Sequence, residues 1–229
     1  MIKIFLDSSN IEDIKKWIDK VDGVTTNHSL MKKAGIKDYE KFAKEVLEII
    51  GDKPVSFEVI ADDFDEMERQ AIKIASWGEN IYVKIPVINT RRENSRELID
   101  KLLHKPYEIK LNITAIMNLE QVQKLEDTFW GDTPAILSLF AGRVADTGKN
   151  PIDVIKKAKY YLPSTYLLWA SPREVLNIYQ AEQAGADIIT CTPELLEKYE
   201  KFKGMDLNEL SLLTVKQFYE DGKESGLTL

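Results

Sequence analysis

The sequence is short of several residues that would point to particular chemistries. It has one cysteine, Cys191, so no disulfide can form within the chain, and thiol usage fits a reducing compartment. Its two histidines, His28 and His104, are not spaced with other ligands as a metal site would need, so a metal is not expected. No dinucleotide fingerprint and no P-loop occurs, which leaves no sequence support for a nucleotide cofactor. No apolar run approaches the roughly 20 residues of a membrane span. The first residues, Met-Ile-Lys-Ile-Phe-Leu-Asp, turn polar too early for a signal peptide, so a cytoplasmic location is expected. Positive charge is also in deficit: 31 Lys and Arg stand against 38 Asp and Glu, a formal net charge of −7. Neither nucleic acid nor an anionic membrane is an expected partner, and any bound anion needs a local cluster of cations.

What remains is the material of one large globular domain. The chain has 229 residues, 44% of them hydrophobic and 30% charged. That length is close to the ~250 residues typical of an eightfold βα barrel. Short apolar runs alternate with longer segments of helical period. Strands are predicted at 2–6, 23–25, 55–60, 81–85, 109–113, 135–140, 166–169 and 187–190. Helices are predicted at 11–18, 38–50, 63–76, 93–103, 119–128, 151–160, 172–184 and 194–202. Eight such units predict a single (β/α)8 barrel over 1–229, with an open doubly wound sheet as the rival built from the same units. A further helix at 207–221 carries Leu210, Leu213, Phe218 and Tyr219 and must cover them on the barrel's flank or on a neighbouring subunit; the second is favoured.

The residues at the strand ends favour the barrel. Asp7, Asn27, Glu58, Lys84, Asn112, Thr114, Ser138, Ser171 and Cys191 fall at or just past the carboxyl ends of the predicted strands. Barrel enzymes gather their chemistry at that face, whereas an open sheet concentrates it at one switch point. Lys84, in Ile-Tyr-Val-Lys-Ile-Pro, is either a desolvated nucleophilic amine suited to a Schiff base or a lysine that reaches solvent from the strand end. Lys3 and Lys110 lie near the opposite ends of their strands, which favours Lys84. Asp7 and Glu58 could share proton transfer in aldol chemistry. Asp7 is alternatively a helix cap, although Ser9 and Glu12 already form a capping-box pattern there. Arg143 and Arg173, in consecutive late βα loops, form the cationic cluster; Arg173 is placed in the first turn of a helix, where Ser171 and Glu174 read as a second capping box. Cys191 is expected to be buried and inert, and His104 to lie at the surface. The 146–149 loop has only a loose likeness to a phosphate cradle.

Several segments resemble one family. Phe-Leu-Asp-Ser-Ser-Asn at 5–10, Gly-Val-Thr-Thr-Asn at 23–27, Val-Lys-Ile-Pro at 83–86, Leu-Asn-Ile-Thr-Ala at 111–115, Phe-Ala-Gly-Arg at 140–143 and Ala-Ser-Pro-Arg at 170–173 are similar, in order, to the short transaldolases, relatives of the fructose-6-phosphate aldolases. The resemblance implies Lys84 as the Schiff-base lysine, Asp7 for the donor's hydroxyl proton, and Glu58 with a water held by Thr114 for the other proton transfers. It implies Asn27, Asn112 and Ser138 on the dihydroxyacetone portion and Arg143, Ser171 and Arg173 on the phosphate. The implied reaction passes a dihydroxyacetone unit from a ketose phosphate such as fructose 6-phosphate to an aldose phosphate, without cofactor. A homo-oligomer that exchanges C-terminal helices, a decamer being one arrangement, is implied as well. His28 replaces a usual proline, and the charged stretch 89–97 is unusual, which keeps a sulfonated or otherwise modified sugar as an alternative; a free aldolase is the other, less favoured because those relatives tend to carry glutamine in place of Glu58 and to lack the Asn-x-Thr of 112–114.

Overall fold

The computed structural model describes residues 2–227. Eight parallel strands close into one barrel in sequence order: β1 (Lys3–Asp7), β2 (Gly23–Thr25), β3 (Val55–Glu58), β4 (Ile81–Pro86), β5 (Leu111–Ile116), β6 (Ala135–Leu139), β7 (Tyr166–Trp169) and β8 (Ile188–Cys191). The pairing of β1 with β8 completes the ring and rules out the open sheet. These strands are short and dominated by Val, Ile, Leu and Phe because a parallel barrel buries both strand faces, one inside and one under helices. Val24, Val55, Phe57, Val83, Ile85, Leu111, Ile113, Leu137 and Leu167 have no measurable exposure.

The helices are α1 (Ile11–Trp17), α2 (His28–Lys33), α3 (Tyr39–Ile50), α4 (Phe64–Ala75), α5 (Arg96–Leu103), α6 (Leu119–Gln123), α7 (Ala141–Asp146), α8 (Ile152–Tyr161), α9 (Leu176–Ala184), α10 (Pro193–Phe202) and α11 (Leu207–Glu224). Their starts follow side-chain chemistry. Asn10, Asn27, Asp38, Asp63, Asn118 and Asp206 each accept hydrogen bonds from first-turn N–H groups that have no partner within the helix. Gly185 closes α9 in the left-handed conformation at φ 85°, where a side chain would be strained.

Several expectations are corrected. Asn10, not Ser9, caps α1, and the Ser9 hydroxyl is buried with no hydrogen-bond partner among the described residues. Ser171 caps nothing: at φ 63° its backbone turns away from a helix start, and α9 begins only at Leu176. Arg173 therefore lies in the loop after β7. The six-residue helices α2 and α7 were not expected, and α5 begins at Arg96 because Asn89 ties the preceding segment into a loop by accepting from the N–H groups of Arg91 and Glu93. His104 is largely covered, its side chain 12% exposed under the stacked ring of Trp130, 3.6 Å between centroids. Asp146, the first residue of the 146–149 loop, ends α7 and is ion-paired with Arg173.

Two compact units divide the chain at 195/196. The first contains the barrel. The second contains α11, an 18-residue helix with no buried residue, in which Leu212, Leu213, Val215, Phe218 and Tyr219 are all exposed. Among the described residues no helix is long and apolar enough to cross a membrane.

Candidate active site

Strand register assembles the centre of the site. Glu58 on β3 is level with Lys84 on β4, which is level with Asn112 on β5, and Asp7 on β1 is level with Thr25 on β2. Neighbouring strands thus deliver an amine, carboxylates and hydroxyls to one end of the barrel. They face a cavity of about 470 Å³. Asp7, Asn27, Glu58, Lys84, Thr114, Ser138, Arg143, Ser171 and Arg173 all contribute to its wall, so the structure brings these candidates together.

Lys84 is only 6% exposed. Its Nζ donates to the Thr26 carbonyl at 3.0 Å and stands 3.7 Å from Glu58 Oε2. The side chain does not run out to solvent from the strand end. Asp7 Oδ1 accepts from the Thr25 hydroxyl at 2.8 Å, and that hydroxyl shares a 2.6 Å hydrogen bond with Thr190. Protein surrounds the Asp7 carboxyl closely enough that desolvation holds its pKa above the usual carboxylate range. The Lys84 charge and hydrogen bonds from Thr25 and Asn27 oppose that rise without cancelling it.

The polar residues on β5 and β6 divide into two levels. Ser138 Oγ donates to Asn112 Oδ1 at 2.7 Å, and Asn112 Nδ2 donates to Ser56 Oγ at 3.0 Å. Asn112 has no exposure and does not reach the cavity wall; Ser138 stands between it and the open space. The Thr114 hydroxyl is buried and has no hydrogen-bond partner among the described residues. Past it, Ala115 takes φ 62° and the β5–β6 register shifts, so the strand ends in a kink that places Thr114 and Ala115 on the cavity wall.

At the cationic end, Gly142 lets the first turn of α7 touch the loop after β7. A Cβ built there would lie 1.6 Å from the Ser171 carbonyl oxygen, so any larger residue would push the Phe140–Arg143 and Ser171–Arg173 segments apart. Arg143 rests over the Phe140 ring, 5.2 Å from its centroid. Arg173 Nη1 donates to Ser171 Oγ at 2.9 Å, and its Nε donates to the Asp146 carboxylate at 3.0 and 3.2 Å.

Sequence reasoning did not find four of the groups that shape this site: Thr25, Ser56 and Thr190 beneath the carboxylate and amide side chains, and Tyr39. The Tyr39 hydroxyl accepts from Glu58 N–H at 2.8 Å and donates to the Glu58 carbonyl at 2.9 Å. Polar side chains inside otherwise apolar strands were the available signal for the first three. Tyr39 gives no such signal because it arrives from a helix. Among the described residues, no group of three or more His, Cys, Asp and Glu is arranged to hold a metal.

The fold and site together define a parallel (β/α)8 barrel whose mouth holds a buried amine beside two carboxylates, with two arginines at the rim. Comparison with known proteins narrows this. A family model described as transaldolase/fructose-6-phosphate aldolase matches residues 4–228. A protein from Thermoplasma volcanium named probable transaldolase is 35% identical over 97% of this chain and 96% of its own length. One of the same name from Dehalococcoides mccartyi is 35% identical over 85% of this chain and 88% of its own, and another from Bartonella henselae is 30% identical over 98% of each. A crystal structure of KGPDC from Streptococcus mutans superposes with TM-score 0.55 over 86% of this chain and 90% of that one; at 14% identity the likeness is one of fold. The chain belongs to the transaldolase/fructose-6-phosphate aldolase family.

Proposed function

We infer that the protein is a transaldolase that moves a dihydroxyacetone unit from a ketose phosphate such as fructose 6-phosphate to an aldose phosphate through a Schiff base on Lys84. The observation that carries this reading is the position of Lys84 Nζ: nearly buried, at the carboxyl end of a barrel strand, 3.7 Å from the Glu58 carboxylate. A structural lysine gains nothing from such a place, whereas an amine that must attack a ketone carbonyl gains a neighbour with which to exchange a proton.

In this reading the amine adds to the ketone carbon, and the carbinolamine loses water to give the iminium. Glu58 exchanges the protons of these steps through a water held by Thr114, whose buried hydroxyl lacks a partner among the described residues and so suits that role. Asp7 takes the proton of the donor hydroxyl as the carbon–carbon bond breaks, and returns it when the acceptor aldehyde is attacked. A carboxyl held above the usual range is the better acceptor for such a proton. Asn27 and Ser138 hold the three-carbon unit, with Asn112 acting through Ser138. Arg143, Ser171 and Arg173 take the phosphate. The exposed apolar side chains of α11 support a homo-oligomer covering that helix.

Borohydride reduction in the presence of a ketose phosphate, followed by peptide mapping, tests the chemistry: a mass increment on Lys84 is expected, and no increment there would sink the reading. Donor cleavage measured with and without an aldose phosphate separates the transferase from a free aldolase, since equal rates in both would identify the latter.

A further inference from the structure

The cationic end of the cavity contains a group that the proposed reaction does not use. Asp146 is the last residue of α7, and its side chain is 53% exposed. Its carboxylate takes the Arg173 Nε at 3.0 and 3.2 Å and closes on Nη2, while Nη1 is held by Ser171 at 2.9 Å. Arg173 thus presents its planar fork to a carboxylate belonging to the chain itself. A phosphate would use the same donors in the same bidentate manner.

The Arg173 and Asp146 side chains are about equally exposed, at 47% and 53%, so the pair can part. Arg173 follows Ser171, whose backbone is fixed in the left-handed region and whose carbonyl is pressed against Gly142. The Asp146 side chain is short and half in solvent, and one rotamer change takes it off the guanidinium. It also sits at a helix C-terminus, where a negative charge has no help from the backbone dipoles, so Arg173 is what holds it inward. The electrostatics agree, since the Arg173 hydrogen bonds followed by the charges of Arg173 and Arg143 lower the Asp146 pKa and keep it ionised.

We propose that Asp146 is an internal competitor for the substrate's anionic group, occupying Arg173 until that group displaces it, and that it thereby sets which anions the site accepts. With Asp146 engaged, two guanidiniums and one carboxylate leave a single net positive charge, which suits a monoanion. With Asp146 displaced the site carries two positive charges and suits a phosphate dianion. The cost of displacement weakens phosphate binding relative to a site lacking the carboxylate. The inference rests on the assignment of Arg143 and Arg173 to the phosphate in the proposed function.

The test is titration of inorganic phosphate into the whole protein at pH 8 and low salt, comparing the wild-type chain with Asp146→Asn. Removal of the competing charge is expected to lower the dissociation constant about tenfold, the equivalent of one charge-assisted hydrogen bond freed for the ligand. A merely structural role for Asp146 moves the value the other way, because an unsupported Arg173 binds less well. Unchanged or weaker phosphate binding in Asp146→Asn overturns the proposal. Labelling of Lys84 by borohydride is read separately: labelling without tightening sinks the competitor alone, and tightening without labelling sinks the transaldolase reading alone.

Discussion

Tyr39 holds Glu58 by both of its backbone polar groups, accepting from the N–H at 2.8 Å and donating to the carbonyl at 2.9 Å. The phenol enters from α3 and is packed edge-on against Trp77 and Phe57, so the end of β3 is anchored to the helix layer at the residue that faces Lys84. Burial raises the phenol's pKa, which keeps it protonated and able to make both bonds.

Tyr39→Phe keeps the ring packing and removes the clamp. Stability is expected to fall by about 1–3 kcal/mol, the range for leaving buried polar groups unpaired. Turnover is expected to fall about tenfold or more, with little change in KM, because the carboxylate loses its position relative to Lys84 and not its contact with the sugar. Chemical denaturation and steady-state kinetics on one preparation check both; unchanged kcat would show that the clamp is structural only.

Asp7 is expected to trade stability for activity. A carboxyl whose pKa is higher in the folded chain holds its proton more tightly there, so ionising it as pH rises through that folded value costs stability. Asp7→Asn removes the cost. It is expected to be more stable than the wild-type chain at pH 7 by about 1 kcal/mol, the usual size of such gains. The advantage should disappear below the ordinary value of 3.8, where the carboxyl is protonated whether folded or not. Melting temperatures measured from pH 3 to 8, beside a donor-cleavage assay that should fall to near background, test this.

Gly142→Ala places a methyl where the Ser171 carbonyl oxygen now stands. The first turn of α7 and the loop after β7 must separate, at a cost of about 1–3 kcal/mol for overpacking. The arginines move apart with them, so KM for a phosphorylated donor should rise about tenfold, while that for unphosphorylated dihydroxyacetone should change much less. Equal effects on both substrates would argue against the arginines as the phosphate site.

Cys191 has no exposure, and burial pushes its thiol up to about 12. A thiol reagent at pH 8 is expected to leave the native protein unmodified and to react with one equivalent once denaturant is added. Rapid modification of the native chain would show that β8 opens readily.

The barrel was legible in the sequence because parallel strands buried on both faces leave uninterrupted apolar runs, and β2 and β7 fall at their expected bounds. The polar strand ends were legible for the same reason, as exceptions within those runs. The six-residue helices α2 and α7 were not, since six residues are too few to display an apolar stripe. Ser171 had the spacing of a cap, but cap spacing says nothing of a positive φ. The Arg173–Asp146 pair joins the end of α7 to the loop after β7, 27 residues on, and no local pattern marks it. Asn112 read as a strand-end residue, yet β5 continues to Ile116 and leaves it one layer down.

The left-handed residues at the cavity wall, Ala115 at φ 62° and Ser171 at φ 63°, set the mutational tolerance of the site. Each holds a backbone shape that costs a side-chain-bearing residue about 1 kcal/mol or more and that glycine adopts freely. In a saturation library screened for folded protein and not for activity, the two positions should accept glycine, asparagine and aspartate and reject valine, isoleucine and threonine. A search for altered substrate scope would then find its usable variation in the side chains that flank these two turns.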